Sequence, residues 1–314
     1  MNRQLKILLL KALKFVVILV ILDLGLGMAV RMLFFTQSSG KFYRMNRTFH
    51  KAKADVFIFG SSRSNHHYHP EVLNKELGLT SYNVGAQGQQ ILFQTTVQKI
   101  ILERIHPKLL VLDVAPDWMY QSSEANDNLS ELRPFYFGYP DIIGPVLSLQ
   151  SHLQKLWLHS IAYQYNSTIV HIIYYRLKPQ LDVDGYVPLL HFMTPQDFEE
   201  QRKADSIRFI GMKPKTIDTV YENALKRFLQ NALSLKIKVV MVYSPDYWGT
   251  KTEGNPSAEK ISEIGRAFGI PVIDYTGDPF FRSHPGFFND IHHLNDDGAR
   301  EFSRQIALKL KAYL

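Results

Sequence analysis

Serine, arginine and histidine crowd one short stretch of this chain. Residues 55–70 read DVFIFGSSRSNHHYHP, an apolar run that stops at Gly60 and is followed by Ser61, Ser62, Arg63, His66, His67 and His69. A serine hydroxyl at the start of a helix, beside backbone N–H groups that favour negative charge, is a candidate nucleophile. Imidazoles at the same place are candidate metal ligands, and the stretch also reads as an ordinary strand-to-helix turn. The five-residue elbow G-x-S-x-G is incomplete, because Ser64 stands where the second glycine would be.

The other end of the chain supplies what a serine needs. FFNDIHHLNDDGA, residues 287–299, places Asp290 three positions before His293. A hydroxyl attacks only when a base removes its proton, and the base must be held in the right tautomer by an acid. Asp and His three apart on one loop meet that need locally, although Asp-x-x-His is also a common solvent-facing helix cap. Between the two lies YNVGAQGQQ, residues 82–90, where Gly85 and Gly88 follow a strand end. Such a loop offers backbone donors for an oxyanion, each worth about 2.7–4 kcal/mol in a transition state, or is a plain turn. His66, His67 and His69 with His292 and His293 could converge on a metal, but no Cys or Glu joins them at a familiar ligand spacing. No metal and no cofactor are assigned. Arg63 is placed either on an anionic substrate group or in an ion pair with Asp117.

These residues must be positioned by the elements around them. The runs 55–60, 81–85, 109–114, 238–244 and 271–275 have the length and β-branched content of buried strands. Residues 89–104, 216–235, 256–268 and 296–313 carry helical spacing; Pro256 suits a helix start, and Asn295 or Asp296 suits a cap. Strands alternating with helices predict an α/β protein, a three-layer α/β/α sandwich around a parallel sheet. Chemistry in such sheets gathers at the carboxyl ends of the strands, and the serine, the glycines and the Asp–His pair all fall there. Residues 118–215 break the alternation and read as a helical and loop insertion in a domain of residues 55–314. Phe135, Tyr136, Phe137 and Tyr139 within it are candidates for stacking on sugar rings, or for core.

Ahead of the domain, residues 15–35 are long and apolar, with Arg3, Lys6, Lys11 and Lys14 before them. The pattern predicts a transmembrane anchor within residues 1–36, N-terminus inside, followed by a linker at 37–54; a cleaved signal peptide and a buried soluble helix are the alternatives. The main domain is then expected outside the cytoplasm, at a bacterial-type inner membrane. Asp23 would face a membrane partner. The 314-residue chain has a formal net charge of +7 with no long Lys/Arg block, so nucleic acid is not an expected partner. It has no cysteine, which excludes thiolate and disulfide chemistry.

The order of the three motifs, GSS on the first strand, NVGAQG after the second and DIHH before the last helix, resembles the SGNH (GDSL-like) hydrolase superfamily, in a branch similar to membrane-anchored polysaccharide O-acyl esterases and transferases. The resemblance implies a flavodoxin-like fold, Ser62 as nucleophile, His293 as general base and Asp290 as its orienting acid. The backbone N–H groups of Ser62 and Gly88 would form the oxyanion hole, and Arg63, His67 and Gln87 would contact substrate, an acylated carbohydrate. One block departs. Pro116, in VLDVAPDWM, stands where the family has an oxyanion-donating asparagine, and proline has neither an amide side chain nor an N–H. Two functions follow: a serine esterase or O-acyltransferase working through an acyl-enzyme, or a catalytically weak binding or assembly component of a surface-polysaccharide apparatus.

Overall fold

The computed structural model describes residues 3–151, 153–166, 168–208, 216–248 and 252–314. The last residues of the expected insertion, 209–215, lie outside them. The chain divides into two compact units, one of residues 44–128 and 181–314, the other of residues 1–43 and 129–180.

The first unit is built on five strands, β1 (Val56–Phe59), β2 (Ser81–Asn83), β3 (Leu109–Asp113), β4 (Lys238–Tyr243) and β5 (Val272–Asp274). They pair in the order β2-β1-β3-β4-β5, all parallel. That order reverses direction beside β1, the position where open α/β sheets place their sites. Both faces of the central strands are covered, so β1 and β3 are buried at every position. Side chains alternate between the two faces with a period of two. Val56, Ile58, Leu109, Val111, Val240 and Val242 join Phe302, Ile306 and Leu310 of the last helix in one core. Phe59 points the other way, onto Phe228 of the Thr219–Ser234 helix, with ring centroids 5.2 Å apart. A fully buried side chain of this size contributes ~1.5–3 kcal/mol, so a one-residue slip of β1 would misplace all four of its side chains at once.

Helices follow the strands where the spacing predicts them, at Ile91–Leu102, Thr219–Ser234, Pro256–Ala267 and Asp296–Leu310. Pro256 opens its helix behind an Asn255 cap, and Asn295 caps the last one by accepting the Gly298 N–H.

In the other unit, the Arg3–Phe35 helix packs on the short Ile161–Gln164 helix. Gly27 makes the close approach possible, since a Cβ there would lie 2.7 Å from the Ala162 nitrogen. Phe34 gathers Phe42, Phe135 and Tyr165 around it. Phe135 is thereby core rather than a sugar platform, while Phe137 is exposed.

The transmembrane expectation is corrected here. No helix among the described residues is long and apolar enough to cross a membrane. The apolar run of the Arg3–Phe35 helix is broken by Asp23 and Arg31, and both are taken up by protein groups. Asp23 accepts hydrogen bonds from the Ser160 hydroxyl and the Ile161 and Ala162 N–H groups, capping that helix, and Arg31 donates to the Tyr165 hydroxyl. The partner sought for Asp23 is therefore in its own chain. Many apolar side chains of this helix, Leu8, Leu13, Ile21 and Leu26 among them, are exposed. The inner-membrane, N-inside placement that rested on the anchor falls with it.

Candidate active site

β1 ends at Phe59, and the chain turns through Gly60 and Ser61 into the Ser62–His67 helix. Gly60 has φ +152°, and a Cβ there would meet Ser64 Cβ at 2.6 Å and the Asp113 carbonyl at 2.8 Å. Only glycine lets β1, β3 and the helix meet so closely. The turn leaves Ser62 half-exposed on the first turn of the helix, while Arg63 to His67 are buried behind it.

The Ser62 Oγ lies 2.8 Å from His293 Nε2. His293 Nδ1 lies 2.9 and 3.0 Å from the two oxygens of Asp290. A carboxylate at Nδ1 places the proton there, which leaves the Nε2 lone pair free to accept the serine O–H. Residues 231 positions apart in sequence are joined by that one contact. Asp290 is itself held by the His292 and His293 N–H groups and the Asn289 amide. Burial acts to raise its pKa, but the bond to His293, the charge there and these donors outweigh it and keep the carboxyl well below the usual range.

The glycine loop is held against the same helix by a residue that the motif reading passed over. Asn83, the last residue of β2, donates to the Ser64 and Tyr68 carbonyls and accepts the Gly85 N–H. The signal was an amide at the end of a strand, since a buried amide must find partners for all its bonds. The Gly85 N–H is thus used inside the protein, as is that of Ala86, which donates to Gly60. Gly88, at φ +70°, is exposed, and its carbonyl accepts from Asn128. Pro116 is buried in the loop after β3.

The three expected substrate contacts part company. Gln87 is exposed, and its amide donates to His66 Nε2 at 2.9 Å. Arg63 is buried; it donates to the Val114 carbonyl and pairs with Asp246 at 3.8 Å. The expected pairing with Asp117 is corrected, because Asp117 is exposed and the guanidinium points inward. His67 has no exposed surface. Its Nδ1 donates to the Ser244 hydroxyl at 3.0 Å, and its Nε2 accepts the Leu294 N–H at 3.0 Å. It is a brace between the nucleophile helix, the end of β4 and the His293 loop, not a cleft residue.

The same accounting disperses the histidines. His66 donates from Nδ1 to the Val187 carbonyl and accepts from Gln87, so both its nitrogens are used. Burial, reinforced by the charge of His293 against the pull of Val187, lowers its pKa to about 4. Burial likewise takes His67 well below the usual value. His69 stacks near Tyr186, and His292 faces Asp246. Among the described residues, no group of three or more His, Asp or Glu could hold a metal ion. Under the site, burial raises Asp113 to about 6 against the opposing charge of Arg63.

No protein-family model matches the sequence, and no curated protein does. The solved structures it is similar to are lipase-type and acylhydrolase-type enzymes. A lipase/acylhydrolase from Enterococcus faecalis is 12% identical, with 82% of this chain and 95% of that one covered and a TM-score of 0.40. An alpha/beta hydrolase enzyme from the metagenome of Lake Arreo is 10% identical, over 85% and 99% of the two chains, with a TM-score of 0.42. A protein from Parabacteroides merdae assigned as a GDSL-like lipase is 11% identical, over 82% and 95%, with a TM-score of 0.39.

Proposed function

We propose that this chain is a serine ester hydrolase or O-acyltransferase that works through an acyl-enzyme on acylated carbohydrate. The observation that carries the reading is the 2.8 Å approach of Ser62 Oγ to His293 Nε2, with Asp290 on the far nitrogen. In the first half-reaction His293 takes the proton of Ser62 as Oγ bonds to the acyl carbon. Negative charge then builds on the carbonyl oxygen, and the N–H groups of Ser62 and Gly88 are the proposed donors to it. Collapse breaks the bond to the leaving sugar oxygen, which receives the proton from His293. In the second half-reaction water, or an acceptor hydroxyl, gives its proton to His293 and attacks the acyl carbon, and Ser62 is released with its proton restored. Asp290 keeps its proton-free state throughout and stabilises the imidazolium.

A fluorophosphonate that labels the peptide containing Ser62, and fails to label Ser62→Ala, tests the reading. Intact, folded protein that takes no label while binding acylated carbohydrate would favour the second reading, a binding or assembly component. The specific observation behind that reading is Pro116, which leaves the loop after β3 without a donor at the expected place.

A further inference from the structure

Beside the Asp290–His293 loop lies a cavity of about 270 Å³ lined by Phe198, Tyr247, Trp248 and Arg282. Three of its walls are aromatic. Phe198 meets Tyr247 edge-on at 5.4 Å and lies 6.5 Å from Trp248. All three are only partly buried, so ring surface remains open to the cavity. The fourth wall is cationic. Arg282 ends the Pro279–Arg282 helix, fixed by the buried Phe281 beside it, and its side chain is exposed. No described carboxylate lies within ion-pair distance of its guanidinium, whereas Arg63, Arg300 and Arg304 each have such a partner.

The cavity is fastened to the base. The Tyr247 and Trp248 N–H groups both donate to the Ile291 carbonyl, at 3.1 and 3.3 Å. From the other side the Ile291 N–H donates to the Gln201 side chain, and Gln201 is on the Pro195–Arg208 helix that carries Phe198. Ile291 is two residues from His293, a chain distance of at most about 7 Å. The backbone that carries two of the cavity's aromatic walls is therefore tied directly to the loop that carries His293.

We propose that this cavity is a substrate subsite for a ring bearing a carboxylate, the chemistry of a uronic acid sugar. The volume falls just below the ~300–1,000 Å³ of sites for drug-sized ligands, so it suits one ring and not a chain. Aromatic walls pack against the apolar face of such a ring, and the guanidinium fork matches a carboxylate with two parallel bonds. This assignment rests on the acyl-transfer reading of Ser62, since it names the sugar next to the scissile ester.

The test uses the full-length Ser62→Ala protein, with galacturonate and galactose as probes, read by calorimetry. Galacturonate should bind saturably and galactose at least about tenfold more weakly, the size of one charge-assisted contact. Arg282→Gln should bring galacturonate down to the galactose level, and Trp248→Leu should weaken both. In the Ser62-containing enzyme, Arg282→Gln should raise KM for an O-acetyl galacturonate about tenfold relative to KM for an O-acetyl galactose. Equal affinity for the two sugars, no saturable binding, or indifference to Arg282→Gln overturns the subsite. Fluorophosphonate labelling of Ser62 in the same preparation separates the two ideas: label without sugar discrimination defeats only the subsite, and sugar discrimination without label defeats the nucleophile.

Discussion

His67 Nε2 accepts the backbone N–H of Leu294 at 3.0 Å, so a fully buried imidazole fixes the residue next to His293. In the Asp290–His293 loop Ile291 is buried in the core while Asp290 and His293 are partly exposed and held by hydrogen bonds. His67→Phe should leave the buried Leu294 N–H without its partner, at a cost of ~1–3 kcal/mol for the unsatisfied group. Urea unfolding should show that loss, and kcat for an aryl acetate should fall with KM little changed.

Asp290→Asn tests the tautomer. An amide in place of the carboxylate no longer fixes the proton on Nδ1, so Nε2 ceases to be the acceptor for the Ser62 proton. By the behaviour of such triads kcat should drop by roughly 10³–10⁴ with the fold intact. Steady-state kinetics beside circular dichroism checks both parts.

Stability should climb with pH between about 4 and 6.5. Burial lowers the folded pKa of His66 to about 4 from 6.5, so across that window the unfolded chain binds a proton that the folded chain refuses. His67, also lowered by burial, acts in the same direction. Asp113 opposes them: burial raises it from 3.8 to about 6, so the folded chain holds its proton and that contribution fades as pH rises through the same range. Urea midpoints measured at several pH values should rise towards neutrality, and His66→Gln should flatten the slope.

Gly60→Ala should be costly for its position alone. The backbone there has φ +152°, and the new methyl would lie 2.6 Å from Ser64 Cβ and 2.8 Å from the Asp113 carbonyl. Strain of that kind costs of order 1–3 kcal/mol before any clash is relieved. A lowered Tm together with a lost fluorophosphonate label is expected, because relief would have to move the Ser62 helix.

Arg63→Met should take the guanidinium away from buried Asp246, a measurable loss of unfolding free energy. The double variant Arg63→Met, Asp246→Leu should recover part of it. A double-mutant cycle of unfolding free energies reads the coupling.

The strands were legible because a strand buried on both faces is apolar over nearly its whole length, as VFIF and LLVL are. The helix start at Pro256 and the cap at Asn295 were legible because such signals are local, Asn295 satisfying an N–H three residues away. The Asp290–His293 pair was legible for the same reason: its geometry is local. What the sequence determined by itself, then, were the features whose partners lie within a few residues, or whose environment is uniform.

Tertiary structure decided everything whose partner is distant. His67 and Gln87 look alike as polar residues after a strand, yet one ends up sealed behind the site and the other exposed. Arg63 found Asp246 and not Asp117, since the direction of a side chain on the helix, and not its nearness in sequence, selects the partner. Asp23 was read for the apolar run around it, while its carboxylate caps a helix 137 residues later. Hydrophobic periodicity reports how much of a residue is covered; only the folded chain fixes what covers it, because a polar group's free energy depends on the one atom that answers its hydrogen bond.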